Sequence, residues 1–235
     1  MNKRAESVKA ARSPDQAGRG GSIPASALHF HLGCFDEAAA LVLKYHYSHR
    51  LPGAAETVGT FHCGGGLFGD KGECVAACIF SSPPTRWGEP VLELTRLVRK
   101  EGMRPPLTKL ICLTVLAVRR RLLWDLLVSF ADSGEGHHGG IYQAASWHYH
   151  GKRTRAMDGL IVDGQFMPGR TCNATWGTRA PAKVAALLGE GHTVQPHYDE
   201  GKHLYWKPIN KAGREKAARL GLNNYSYPKP QAVTA

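Results

Sequence analysis

The sequence predicts an α+β protein with a mixed, mostly antiparallel central sheet, a parallel pair at its centre, and helices on its flanks. Three observations carry that reading. The periodicity runs helix, three-strand meander, long helix, strand, short helix and further strands. Gly64-Gly65-Gly66 and Pro83-Pro84 with Gly88 punctuate the meander. The composition, 235 residues at 43% hydrophobic and 21% charged, suits one packed domain.

Taken in order, residues 1–27 hold Lys3, Arg4, Lys9, Arg12 and Arg19 among Ser, Pro, Gly and Gln, and read as a flexible basic arm. The domain is placed at 28–235. A first helix is predicted over 34–49, where Phe35, Ala38, Leu41, Val42 and Tyr45 follow helical spacing and Asp36 is placed to cap. Leu51-Pro52-Gly53 stops it. Strands are expected at 57–62, 74–81 and 91–98. The long helix, 107–124, carries Leu110, Ile111, Leu113 and Leu116 on a broad apolar face, and Arg119-Arg120-Arg121 complement its dipole in the closing turns. A buried strand (126–130), a Gly- and His-rich loop (132–140) and a short helix (141–147) follow. Late strands fall at 158–163 and 203–207, a surface helix at 211–220, and a loose tail at Pro228-Lys229-Pro230.

Thirty Lys plus Arg against 19 Asp plus Glu leave +11, which points to a polyanionic partner. No apolar run approaches the roughly 20 residues of a membrane helix, and the N-terminus lacks the apolar core of a secretory signal. No membrane partner is expected, and the chain is placed in a cytosol. The six Cys read as reduced thiols. Cys74 and Cys78 have no second close pair to complete a zinc site.

Four segments carry candidate chemistry. Arg99-Lys100-Glu101-Gly102-Met103-Arg104 precedes the long helix, where backbone amides and a basic residue hold pyrophosphate. It resembles the Arg/Gln-x-x-Gly-x-Gly/Ala run of GNAT acyltransferases at Arg99 and Gly102, and departs from it at Arg104. Ser82-Pro83-Pro84-Thr85 resembles the amine-holding motif of amino-methyltransferases, and Leu67-Phe68-Gly69-Asp70 is a poor stand-in for their glycine-rich turn. Ser129 through Gln143 gathers Asp132, Glu135, His137, His138 and Tyr142 directly after a buried strand, suited to proton transfer or metal binding. Aromatic and basic residues then interleave at Trp147-His148-Tyr149-His150-Gly151-Lys152-Arg153-Thr154-Arg155, with Arg170, Trp176, Arg179 and Tyr205-Trp206-Lys207 later, a mixture suited to phosphates and exposed bases.

Taken together, the segments resemble the Mom family of phage DNA-modification proteins. The likeness runs from about Cys34 to the Pro228-Lys229-Pro230 tail. It is carried by Leu43-Lys44-Tyr45-His46-Tyr47-Ser48-His49-Arg50, Pro83-Pro84-Thr85-Arg86-Trp87, Leu92-Glu93-Leu94-Thr95-Arg96-Leu97-Val98-Arg99, the stretch from Ser129 to Ala144, and Pro196-His197-Tyr198-Asp199-Glu200-Gly201-Lys202.

The resemblance implies a GNAT-like fold in the bacterial host cytoplasm. Its implied activity converts adenine in double-stranded phage DNA to the carbamoylmethyl derivative at the 6-amino group, protecting the DNA from restriction. Arg99, Ser129, Asp132 and Tyr142 become the catalytic candidates, with Tyr47 beside them. His46 and Tyr47 become candidate iron ligands. Arg99, Gly102 and Arg104 would hold a small-molecule donor, acetyl coenzyme A or a related acyl compound among the candidates, whose identity the sequence does not give. Because the base must leave the stack, Lys152, Arg153 and Arg155 are expected on phosphates and Tyr149 or Trp147 on the flipped adenine. A homodimer stays open. The alternatives are an S-adenosylmethionine-dependent adenine methyltransferase and a noncatalytic DNA-coating protein.

Overall fold

A computed structural model describes residues 21–65, 70–84 and 87–228. Strand β1 (Gly21–Ser22) and a 3-10 turn (Ala25–Ala27) lead into β2 (Leu28–Leu32), α1 (Phe35–Tyr45), and the meander β3 (Ala55–Cys63), β4 (Glu73–Ser81) and β5 (Val91–Arg99). After β6 (Met103–Arg104) come α2 (Leu107–Arg121), β7 (Leu126–Asp132), α3 (Gly140–Ala144) and β8 (His148–Lys152). The chain continues through β9 (Met157–Val162), β10 (Gln165–Pro168), α4 (Gly169–Trp176), α5 (Pro181–Leu188) and β11 (Val194–Tyr198). It closes with β12 (Lys202–Pro208) and α6 (Lys211–Arg219).

The seven-stranded sheet has the order β2-β3-β4-β5-β7-β12-β8. Every neighbouring pair in it is antiparallel except β5 and β7, with α2 as the crossover between them. Side-chain alternation along β4 divides the faces. Ala76, Cys78 and Phe80 join Leu110, Ile111 and Val118 of α2, while Ala77 and Ile79 join Ala38, Leu41 and Val42 of α1. A second, three-stranded sheet, β10-β9-β11, packs Leu160 against Cys172 of α4 and Val184 of α5.

The position of the site follows from one irregularity. β5 and β7 pair only from Val91↔Leu126 to Leu94↔Ser129. Beyond that point β5 continues along β4 to Arg99, and β7 continues along β12 to Asp132, so the sheet parts at its middle. Opposite β4 the register skips Thr95 between Leu94 and Arg96, a β-bulge at the fork.

Several expectations need correction. Residues 21–27 carry a strand and a turn, so the region expected as a flexible arm is structured at its end, and its first 20 residues lie outside the described ones. The first helix stops at Tyr45 because His46 is extended and its ring accepts the Ser48 amide, a local bond that competes with helix. Asp36 lies in the first turn, with Cys34 at the cap. The long helix ends at Arg121, where Leu122 turns left-handed at φ 55°. Leu67, Phe68 and Gly69 of the glycine-turn comparison, Thr85 and Arg86, and Lys229 and Pro230 of the tail also lie outside the described residues.

Candidate active site

The parting of β5 and β7 opens a hollow of about 410 Å³. Its walls are Leu94, Thr95, Leu97, Val98 and Arg99 from β5, Phe130 and Ala131 from β7, and the run from His137 to Tyr142. Tyr45, His46 and Tyr47 at the end of α1 close one side, and Leu107 and Thr108 at the start of α2 the other. Arg99, Tyr142, His46 and Tyr47 thus share one cavity, although they arise from separate segments.

Tyr142 is placed by α3, which starts after Gly139, a glycine at φ 80° packed so closely on Tyr205 that a side chain would collide with that ring. Behind Tyr142 lies Ser129, fully buried on β7, whose Oγ is 2.8 Å from the Leu94 carbonyl and 2.9 Å from the Tyr142 hydroxyl. Burial pushes the phenol up to about 12, with Ser129 acting against the shift, so Tyr142 holds its proton at neutral pH. Ser129 does not line the cavity; it supports the residue that does.

His46 is pushed down to about 3, by burial first and then by Arg96, His137 and His49. Its Nδ1 accepts the Ser48 amide at 3.1 Å, which puts the proton of the neutral ring on Nε2. Tyr47 lies against His46, with ring centroids 4.4 Å apart, and meets His137 edge-on at 5.8 Å. Tyr47 is 37% exposed, yet burial and Asp132 raise its hydroxyl to about 12.

Asp132 stands at the rim rather than in the wall. Its carboxylate pairs with Lys202 at 2.9 Å and accepts the Gly134 amide at 3.0 Å, fixing the first turn of the loop. Glu135 in the same loop is raised by burial and by Asp132. The sequence marks Glu135 and His137 as candidate chemistry without giving either a site role, and it holds no signal for Thr95 because a bulge is set by pairing register.

The groups expected on DNA separate. Trp147 is completely buried against Tyr142, and Tyr149 is 7% exposed, with its hydroxyl 2.7 Å from His203. Neither offers a ring face to a base, so the stacking role expected of both does not hold. Arg153 is committed to the buried Asp199, which also accepts the amides of Ala156 and Gly201. Lys152 is exposed, and so is Arg155, whose guanidinium lies 5.2 Å from the Tyr198 ring centre.

The donor end departs from a glycine-rich cradle. Gly102, at φ 76°, serves the turn after β5, and Arg104 lies in β6, paired with β1. Pro105 and Pro106 remove two amides just before α2. The remaining donors are the first-turn amides of Leu107, Thr108 and Lys109 with Arg99 close by, an arrangement that fits an anionic donor but lacks the run of amides a pyrophosphate takes. Iron fits less well. The Nδ1 of His46 is occupied, and among the described residues no group of three or more His, Cys, Asp or Glu could hold a metal.

The mostly antiparallel large sheet is not the doubly wound parallel sheet an S-adenosylmethionine enzyme of the expected type needs. No helix among the described residues is long and apolar enough to cross a membrane. The chain is similar in structure to an N-acetyltransferase from Staphylococcus aureus Mu50, at 11% identity and a TM-score of 0.43, covering 77% of this chain and 97% of the other. A protein described as a GNAT-family acetyltransferase from Desulfovibrio desulfuricans gives 11%, 0.41, 78% and 100% on the same measures, and one described as an acetyltransferase from Pyrococcus horikoshii gives 8%, 0.45, 79% and 91%. No curated protein matches the chain. In sequence, the Mom protein family matches residues 28–229.

Proposed function

The chain belongs to the Mom protein family, and from that premise we propose that it transfers a carbamoylmethyl group from a small-molecule donor to the 6-amino nitrogen of adenine in double-stranded phage DNA. The modification shields the DNA from restriction in the cytoplasm of the bacterial host. The observation that supports a transferase over a coating protein is the hollow at the parted strands, where a buried, serine-backed phenol and an arginine share one cavity.

The amino group of adenine is a weak nucleophile and is hydrogen bonded inside the duplex, so the base leaves the stack before it reacts. Its nitrogen lone pair forms the new bond to the methylene carbon of the donor as the bond to the leaving group breaks, and that group departs with the electron pair. Tyr142, protonated at neutral pH, donates a hydrogen bond to the departing group, while Arg99 and the first amides of α2 hold the anionic part of the donor. The amino proton goes to a carboxylate at the rim. Asp132 serves there while paired with Lys202, because alkylation makes that proton far more acidic. His46, neutral with its proton on Nε2, supplies a second donor on the α1 side.

Mass analysis of nucleosides from DNA of cells expressing the protein tests the reading. A carbamoylmethyl adenine is the expected product. A methyl adduct would point to the methyltransferase alternative, and unmodified nucleosides with protected DNA would identify a coating protein.

A further inference from the structure

Arginines from separate elements gather between the α1 side of the hollow and the small sheet. Arg96, on β5, donates from Nε to the Arg50 carbonyl at 2.8 Å and from Nη1 to the Thr95 carbonyl at 2.7 Å. Among the described residues these bonds use two of its five N–H groups. Arg50, past the end of α1, donates in turn to the Phe166 carbonyl of β10 at 3.1 Å, its guanidinium 5.9 Å from the Phe166 ring centre. Arg170 is exposed in the first turn of α4 and lies within electrostatic reach of Arg96. Arg179 packs against Gly169 at the head of the same helix, where an added Cβ would stand 3.2 Å from its Nη1.

Among the described residues, none of these four guanidiniums lies within ion-pairing distance of a carboxylate. Gathering like charges without a counter-ion is unfavourable, the more so for the half-buried Arg96. Burial and Arg170 both press Arg96 below its ordinary value, against the pull of Tyr47 and Glu93. The place matters too, because Arg96 sits between Thr95 and Leu97, which line the hollow, and beside Tyr47 at its mouth.

We propose that Arg50, Arg96, Arg170 and Arg179 form a clamp for DNA backbone phosphates beside the extruded base, making the small sheet the wall that holds the target strand at the mouth of the hollow. This rests on the DNA-modifying reading and names the surface that serves it. Guanidiniums suit phosphates because their planar fork binds two oxygens at once. The clamp lies on the α1 side, so the strand meets the cavity at Tyr47, opposite the donor amides of α2.

The test is the salt dependence of duplex binding, measured on the full chain. Arg170 and Arg179 are exposed, so Arg170→Gln and Arg179→Gln leave the fold intact, which a melting curve checks. For each phosphate the protein no longer neutralises, the slope of log affinity against log salt becomes shallower by about 0.9. The double variant R170Q/R179Q is therefore expected to lose roughly 1.8, while K211Q/R214Q, the same loss of two charges on the exposed face of α6, leaves the slope at its wild-type value. A double variant that keeps the wild-type slope overturns the clamp, and the parent reading survives if that protein still marks adenine. A wild-type protein that neither binds duplex DNA nor marks adenine overturns the parent reading and the clamp with it.

Discussion

Tyr142 has little room for any role but donor. A phenol pushed up to about 12 by burial stays protonated across the physiological range, and Ser129 fixes its oxygen from behind. Tyr142→Phe keeps the ring against Trp147 and Tyr205 and removes only the hydroxyl. It is expected to lower the modification rate by about 10²–10³, the typical loss for one preorganised donor, with DNA binding retained; a rate near wild type in a single-turnover assay would remove Tyr142 from the chemistry. His46 gives a test by pH. Its folded pKa, about 3, lies below its ordinary value near 6.5, so the unfolded chain binds the extra proton between those limits and stability rises with pH there. Denaturant melts of His46→Gln from pH 4 to 7 are expected to lose part of that slope. Arg99 can be singled out in the sequence because it ends a strand just before the long helix, and Ser129 and Tyr142 because they lie in a segment that carries the family likeness. Trp147 and Tyr149 mislead because an aromatic-basic alternation looks the same on a DNA-facing surface and on a strand whose rings turn inward.

The elements depend on two close approaches. Gly59 on β3 lies directly under Thr114 of α2; a Cβ there would stand 2.0 Å from the threonine oxygen. Gly59→Ala is expected to push α2 off the sheet at a cost of about 1–3 kcal/mol, read as a lower denaturation midpoint, and Thr114→Ser in the same chain should relieve little, because Oγ1 is the colliding atom. Gly139→Ala meets the Tyr205 ring as well as an unfavourable φ, and so displaces the start of α3. Its expected signature is a loss of activity larger than its loss of stability, since α3 carries Tyr142. The meander and the long helix are legible because period-two and helical patterns run long there. β2 escapes notice although Leu28, Phe30 and Leu32 alternate with His29 and His31, a pattern too short to stand out beside the basic arm. β10, α4, α5 and β11 escape it because strands of 4 and 5 residues and helices of 8 bury too few side chains to imprint a period.

At the scale of the whole molecule, one buried carboxylate ties the two sheets together. Asp199 follows β11 of the small sheet and holds Arg153, just past β8 at the edge of the large one, together with the amides of Ala156 and Gly201. Burial would raise its pKa, but the Arg153 bond and the two amides outweigh that and hold it below the ordinary carboxylate value. Its stabilising contribution is thus full above about pH 4 and lost as pH falls further. Asp199→Asn is expected to lower the melting temperature at pH 7 and to differ less from wild type at pH 3; an equal deficit at both values would mean that charge is not what holds the junction. Asp199 stands within one of the segments that carry the family likeness, but its structural work cannot be read there, because Arg153 is 46 positions away.

The gap between β5 and β7 is bounded by the end of α1 on one side and the start of α2 on the other, helices that pack on opposite faces of the large sheet. With DNA meeting this cleft at the α1 end and the donor at the α2 end, as proposed, both reactants occupy it together, and neither has to vacate before the other arrives. Turnover on that plan goes through a ternary complex, and double-reciprocal plots at several fixed donor concentrations should intersect instead of running parallel.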